Sequence, residues 1–401
     1  MTPRAAPASS LFSALVPLLP LMLTVFVGFL AMGMALPVVP RHVHDTLGQG
    51  TVTVGVVMGS QYLAALLVGR MWAGGMSDVR GPKPAALVGL VTACGVAALY
   101  LASVPFAGRP TTALVLVLAA RLLSGIAESF IITSTMAWGL ARMGPAHAGK
   151  VFGWMGVALF GGFAAGAPLG TALHAQLGLG GVAVAMLAAT LAGLAFTATL
   201  PGVAPSKLAR VPFYRVLGAV KLPGLGLTFC SMGYAMITAF AVLLFAQRGW
   251  GGGALALTFM GVGFIAARLL FGHLPDQVGG AKVALFFGIA EAIGLALIWA
   301  APIPAVAWLG AALGGAGYAL GFQGFGVEAV RRAPPQSRGS AMGAYIVFQD
   351  ASMGLAPPLG GALARAAGID AVYLLAALGA VGAVVVAAVL VREARQVPVC
   401  A

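Results

Sequence analysis

An all-α integral membrane protein, with twelve transmembrane helices in two pseudo-symmetric six-helix bundles, is the fold class this sequence predicts, and three observations predict it. The first is composition: the 401 residues are 61% hydrophobic and only 8% charged, against about 25% charged in soluble domains. The second is that apolar runs of about 20 residues, the length a helix needs to cross the hydrocarbon core, recur along the whole chain. These runs are continuous, not alternating, so helices and not barrel strands satisfy the backbone in lipid. The third is an internal repeat. Residues 70–81 read RMWAGGMSDVRG and residues 268–279 read RLLFGHLPDQVG, so that Arg70, Asp78 and Gly81 return as Arg268, Asp276 and Gly279 at an offset of 198. A second correspondence, at an offset of 190, carries Gly149, Gly153, Pro168 and Gly170 onto Gly339, Gly343, Pro358 and Gly360. A parallel repeat of this kind in a membrane protein is a mark of transporters.

The predicted spans are 14–36, 53–73, 85–103, 112–140, 151–173, 180–200, 225–245, 254–271, 283–301, 305–326, 340–363 and 371–391. They divide into an N-terminal six-helix bundle over residues 1–200, a cytosolic linker at 201–222, and a C-terminal bundle with a short tail over 223–401. The first run is longer than a signal-peptide core and ends in Pro37-Val38-Val39-Pro40 instead of a small-residue cleavage site, so it reads as a retained span. The fourth run carries Arg121 and Glu128, and the eleventh carries Gln349 and Asp350. The fifth is rich in small residues (Gly153, Gly156, Gly162, Gly166, Pro168, Gly170), and the eleventh closes with Pro357, Pro358, Gly360 and Gly361. Such residues let helices approach closely and bend.

The formal net charge of +13 does not call for a nucleic acid partner. With both termini inside, seventeen of the 22 Lys and Arg residues flank the cytosolic side; Arg41, Arg109, Arg248 and Arg365 flank the outer side, and Arg121 lies within a span. That asymmetry is the positive-inside pattern of a multi-pass membrane protein. Cys94 and Cys230 fall in apolar spans and Cys400 in the tail; no disulfide or metal cluster is expected of them, nor of the five scattered histidines.

Nine acidic residues are few enough to weigh one by one. Asp45, Asp370 and Glu393 read as solvated, Asp78 and Asp276 belong to the repeated turns, and Glu328 ends the tenth span. Glu128, Glu291 and Asp350 remain inside the membrane, where a charge normally faces a bundle interior or a water-filled cavity. Arg121 and Glu128 share one helix face, but seven residues rise about 10.5 Å, so each needs another partner or the two share a substrate. Asp350, with Gln349 beside it and Tyr345 one turn earlier, reads as an isolated carboxylate able to take up and release a proton. Aromatic and polar positions of the first, seventh and tenth spans (Thr24, Phe26, Phe29, Thr228, Ser231, Tyr234, Thr238, Tyr318, Gln323) are candidates for a central lining. The repeat duplicates Asp78 in Asp276 but supplies no acid matching Glu128 in the tenth span. Duplicated residues therefore read as scaffold and gate, unduplicated charges as the substrate or ion site.

On these residues the chain resembles the major facilitator superfamily over essentially its whole length. Gly75-Met76-Ser77-Asp78-Val79-Arg80-Gly81-Pro82-Lys83 is similar to that family's loop signature after the second helix, with Val79 where its first basic residue is expected. Arg121 matches the fourth-helix Arg, and Gly162-Phe163-Ala164-Ala165-Gly166-Ala167-Pro168-Leu169-Gly170 resembles the fifth-helix motif of antiporters, with an additional Ala167. Residues 324–332 and 338–345 resemble the bacterial YhhS/YfcJ-type subgroup. The resemblance implies alternating access about a central site lined by the first, fourth, seventh and tenth helices. It also implies a cytosolic latch of Asp78 against residues 338–340, and by the repeat one of Asp276 against Gly149 and Lys150.

The expected function is secondary active transport, as a proton-coupled exporter of a small organic molecule, with an importing symporter or facilitator as the alternative and a membrane-embedded enzyme as a more distant one. The expected substrate or proton site comprises Arg121, Glu128, Asp350, Gln349, Tyr345, Tyr234, Tyr318 and Gln323. The expected gate comprises Asp78, Asp276, Arg70, Arg268, Gly81 and Gly279. No cofactor, metal or nucleic acid is expected; the partners are the substrate, protons and the lipid bilayer, and the protein is expected to be a monomer. No Walker A sequence is present, so ATP is not the expected energy source.

Overall fold

The computed structural model describes residues 15–144, 147–205, 217–333 and 338–396, and among these it is entirely helical. The long helices are α1 (Leu15–Ala35), α2 (Thr51–Val79), α3 (Pro82–Ser103), α4 (Pro110–Met143) and a fifty-two-residue rod, Ala148–Thr199. That rod is two spans: at Gly178 the backbone turns to φ 63°, ψ −165°, dividing it into α5 (residues 148–177) and α6 (residues 179–199). The second half comprises α7 (Leu217–Gln247), α8 (Gly253–Phe271), α9 (Gly280–Ala300), α10 (Pro304–Arg332), α11 (Arg338–Ala367) and α12 (Ile369–Gln396).

Ten described segments are long and apolar enough to cross a membrane, the bent rod counting once. The remaining member of the twelve is α11, whose interior holds Gln349, Asp350, Pro357 and Pro358 and is correspondingly less apolar. The expected linker at 201–222 overlaps residues 206–216, which lie outside the described set, and its last part, from Leu217, already belongs to α7. The helix begins six residues ahead of Pro223 because Val220, on the buried side of that first stretch, packs fully into the core.

The repeated turns adopt one backbone shape. Gly81 (φ 94°, ψ 161°) precedes α3 and Gly279 (φ 96°, ψ 141°) precedes α9. That region is open to glycine and strained for other residues, which accounts for the glycine three places after each Asp.

Helices α1–α6 pack with one another, as do α7–α12, and the two bundles meet chiefly through α2 against α11 and α5 against α8. Glycines set how close the helices come. Gly162, Gly166 and Gly170 of α5 seat the backbone of α1: a Cβ on each would lie 2.7, 2.5 and 2.1 Å from the carbonyls of Phe26, Leu30 and Met34. Between the bundles, Cβ atoms on Gly55 and Gly59 of α2 would lie 2.1 and 2.3 Å from the carbonyls of Pro357 and Gly354, and one on Gly361 of α11 would lie 2.3 Å from that of Thr51. These approaches lie in the halves of α2 and α11 remote from the chain termini. Towards the terminal end, residues Arg70–Val79 of α2 pack on α3 and α4 within their own bundle, and a Cβ at Gly153 of α5 or Gly343 of α11 would meet open space.

A Gly55→Val substitution forces α2 off α11, at a cost of about 1–3 kcal/mol, or about 5- to 150-fold in the equilibrium between joined and parted bundles. The expected result is faster maleimide labelling of a Thr51→Cys probe in the Gly55→Val background; an unchanged rate would show that this seam does not hold the bundles together.

Candidate functional site

Where the seam between α2 and α11 ends, two buried charges meet. Arg70 Nε lies 2.5 Å from Asp350 Oδ2, and a terminal guanidinium nitrogen donates to Oδ1 at 2.8 Å. Asp350 is fully buried and the Arg70 side chain is 23% exposed. The forked geometry is the strong form of a carboxylate–guanidinium pair. It joins the first bundle to the second, so Asp350 is not the isolated carboxylate that the sequence suggested but half of an inter-bundle link.

Local structure brings Arg70 to this place. The five residues just before it, Ala65–Gly69, form a π-helical turn inside α2. One extra residue in a turn rotates everything that follows by about 100°, so this segment sets the direction in which Arg70 projects. Gly69 permits the turn to sit against α4, since a Cβ there would lie 2.6 Å from the Ser129 hydroxyl oxygen.

The charged face of α4 packs on α2. Gly125 lies between Arg121 and Glu128, and a Cβ on it would approach the Gln61 carbonyl to 1.9 Å. This contact places Gln61 Nε2 2.6 Å from Glu128 Oε2, and Arg121 donates to the Met58 carbonyl at 3.3 Å. Arg121 and Glu128 thus each take a partner from α2, as the seven-residue rise requires. The Arg121 Nε has no hydrogen-bond partner among the described residues, and the Tyr100 hydroxyl lies beside Arg121 and Ser124. Glu128 is held by a neutral amide, and both Arg70 and Asp350 lie within electrostatic reach of it.

An aromatic cluster fills the centre between the bundles. Tyr234 of α7 and Tyr318 of α10 stack with centroids 5.2 Å apart, and Phe160 of α5 stacks on Phe264 of α8 at 3.5 Å and meets both tyrosines edge-on. Tyr62 of α2 faces Tyr234 and senses Glu128, Arg121 and Asp350. Tyr345 donates to the Phe322 carbonyl at 2.7 Å, with its ring against Phe322. Gln349 makes no closer polar contact than 3.9 Å, to the Met353 sulfur. Gln323 donates to the Gly272 carbonyl at 2.8 Å, and its Oε1 has no partner.

Other expected positions lie elsewhere. Thr24 is fully buried and shares a 2.9 Å hydrogen bond with Thr197 of α6, and Phe29 packs edge-on against Phe163 of α5, so both belong to the packing of the first bundle. Glu291 of α9 is fully buried in the second bundle and accepts from the Cys230 thiol at 3.0 Å. Glu328 is structural: it accepts from the Ala281 amide at the start of α9 and pairs with Arg331 and Arg332, tying α9 to α10. Asp78 is on the last turn of α2 and Asp276 in the short helix Leu274–Val278. Their expected partners include residues 338–340 and Gly149, whose side-chain environments fall outside the described set. Arg268 makes no ion pair or side-chain hydrogen bond among the described residues. No group of three or more His, Cys, Asp and Glu side chains gathers there for a metal.

Sequence reasoning missed Gln61, Tyr62, Phe160 and Phe264. A signal for the first two was present: Ser60-Gln61-Tyr62 is a polar interruption in the middle of an apolar span. For the two phenylalanines there was none.

The Major Facilitator Superfamily profile matches residues 21–274 and again 224–399. The chain is 37% identical to an uncharacterized MFS-type transporter of Salmonella typhimurium, over 96% of this chain and the whole of that one. It is 42% identical to another from Burkholderia pseudomallei over 92% and 91%, and 39% identical to one from Pseudomonas aeruginosa over 92% of each. Among solved structures, the nucleoside transporter NupG superposes with a TM-score of 0.75 at 15% identity, over 93% of this chain and 99% of that one. The human organic anion transporter MFSD10 gives 0.67 at 17% identity, over 92% and 98%.

Removing one member of the Arg70–Asp350 pair strands a charge away from water, which costs about 3–5 kcal/mol for a fully buried pair and falls to the low end here because Arg70 keeps some solvent contact. Asp350→Asn and Arg70→Met are each expected to lower the thermal stability of the purified protein, and the Arg70→Met/Asp350→Leu double variant to recover most of the loss. Additive losses would show that the two charges are not coupled.

Proposed function

Because the chain belongs to the Major Facilitator Superfamily and is a multi-pass membrane transporter of that family, we propose that it works by alternating access as a proton-coupled exporter of a small organic molecule in the bacterial inner membrane, within the YhhS/YfcJ-type subgroup. The observation that carries this reading is the uneven contact between the bundles: a tight glycine seam in the halves remote from the termini, ending at the Arg70–Asp350 pair, with open space at Gly153 and Gly343 beyond it. The positive-inside distribution of Lys and Arg puts the termini in the cytosol, so the seam is the outer gate and the present state faces inward. The two bundles, 1–200 and 223–401, are the rocking units, and the protein functions as a monomer.

Proton coupling is supported by the setting of Glu128. Its carboxylate meets a neutral amide, not a salt-bridge partner, while Arg70 stands within electrostatic reach of both Glu128 and Asp350. Turning Arg70 from Asp350 towards Glu128 frees the inter-bundle link, and a neutral Glu128 favours the link. The two acids therefore compete for one guanidinium, and the bundle contact follows the outcome. An equilibrium moves only as far as its ligand distinguishes the two states, and loss of a buried pair is a distinction of the required size.

Ligands found by a thermal-shift screen of the purified protein are expected to accumulate in inverted vesicles and to stop accumulating when an ionophore collapses the pH gradient. Insensitivity to the gradient would remove proton coupling, and accumulation in right-side-out vesicles would make the protein an importer. Glu128→Gln is expected to abolish gradient-driven accumulation while retaining downhill exchange; undiminished accumulation would remove Glu128 from the proton path.

A further inference from the structure

The repeat that relates the two bundles leaves one cation without its acid. Arg268 stands to the second bundle as Arg70 stands to the first, at the offset of 198. The position that corresponds to Asp350 at the offset of 190 is residue 160, and there the chain has Phe160. Where α2 and α11 close on an ion pair, α5 and α8 close on the stacked rings of Phe160 and Phe264. The helical period puts Arg268 on the same face of α8 as Gly261 and Phe264, seven and four residues before it. Both of those touch α5: a Cβ on Gly261 would meet Ala164 at 2.8 Å, and the Phe264 ring lies against Phe160. Arg268 thus continues the α5-facing row by one turn towards the terminal end, where Gly156 has no nearer neighbour across the gap than the Phe264 ring, at 4.0 Å, and Gly153 has none.

Arg70 is accounted for by Asp350, and Arg121 by the Met58 carbonyl and the nearby Glu128. Arg268, half-buried in the last turn of α8, has no counterpart of either kind among the described residues. A guanidinium withdrawn from water is costly without a counter-charge, and its planar fork of donors matches a carboxylate or sulfonate. The side chains next along this face are aromatic: Phe264 one turn away, then Phe160 and Tyr318 packed around Phe264, all three buried in the closed crossing.

We propose that the cleft between α5 and α8 holds an anion site at Arg268, and that the transported molecule is an aromatic organic anion whose carboxylate or sulfonate meets this guanidinium while its ring lies against Phe264 and Tyr318. This rests on the reading of the protein as a transporter and adds the substrate class to it. Arg268 supplies the charge that the repeat supplies to Asp350 on the other side, with the cargo in place of the acid. Loading the site neutralises the α5–α8 cleft, so the cation can enter a closed interface only together with its anion.

The test is isothermal titration of the full-length protein, in phosphatidylcholine nanodiscs, with matched pairs of probes: 1-naphthoate against 1-naphthamide, and 2-naphthalenesulfonate against 2-naphthalenesulfonamide. The anion of at least one pair is expected to bind tenfold or more tightly than its neutral partner. Arg268→Gln is expected to erase that preference and Arg268→Lys to keep part of it, with the neutral probes unaffected by either, so that a general loss of folding is recognised by their loss too. No anion preference in any pair, or a preference that survives Arg268→Gln, overturns the proposal. Inorganic phosphate alone is expected to bind weakly and without displacing 1-naphthoate at equal concentration; if nanodiscs containing phosphatidylglycerol abolish 1-naphthoate binding, a lipid headgroup is the occupant and the cargo assignment fails. Naphthoate binding without transport in vesicles would overturn the cargo assignment and leave the transporter reading standing, whereas absence of transport of any screened ligand would count against the transporter reading itself.

Discussion

A carboxylate and a guanidinium that have left water on two different bundles constrain everything around them. Neither Arg70 nor Asp350 is tolerable alone inside the bilayer, and together they are tolerable only at hydrogen-bonding distance and in the forked geometry observed. That requirement fixes the level of α2 against α11, and the π-helical turn at Ala65–Gly69 provides the rotation that makes it possible.

The glycine contacts are of two kinds, and the difference separates what is rigid from what can part. Inside the first bundle, the backbone of α1 lies in the groove formed by Gly162, Gly166 and Gly170, and Gly125 seats α4 on α2. In lipid there is no hydrophobic drive between helices, so this close packing is what makes six helices one body. Between the bundles, Gly55, Gly59 and Gly361 make similarly close backbone contacts. Because large side chains do not interlock at these positions, the seam can open without forcing buried rotamers to rearrange. The polar anchors of the second bundle are spread differently: Glu328 binds α9 to α10 at the terminal end, and Arg248 binds the Ala301 carbonyl and Asp370 at the other, outside the moving surface.

The two crossings between bundles are pseudo-equivalent in backbone and opposite in chemistry. On one side a charge pair is complete within the protein; on the other two phenylalanine rings stack. The Arg recurs in both repeated segments along with the glycine whose positive φ each turn requires, while the facing helix carries Asp in one copy and Phe in the other.

Hydropathy, the repeat and the count of charges are properties of the chain read locally, and by themselves they determined the helical membrane class, the two-bundle plan and the small set of intramembrane residues worth attention. The twelve runs, the turn glycines at 81 and 279, and the placing of Arg121, Glu128 and Asp350 within spans were all legible because a span's length and the charges it carries are recognisable without knowing what lies beside them. Partner choice was not. Arg70 and Asp350 are 280 residues apart, and Glu128 finds Gln61 only because Gly125 lets α4 close on α2. Thr24, legible as a polar residue in a span, turned away from the cavity towards Thr197. Which charge meets which depends on the rotation and depth of each helix, and these follow from backbone contacts and a π turn that no local pattern encodes; only the tertiary structure decided them.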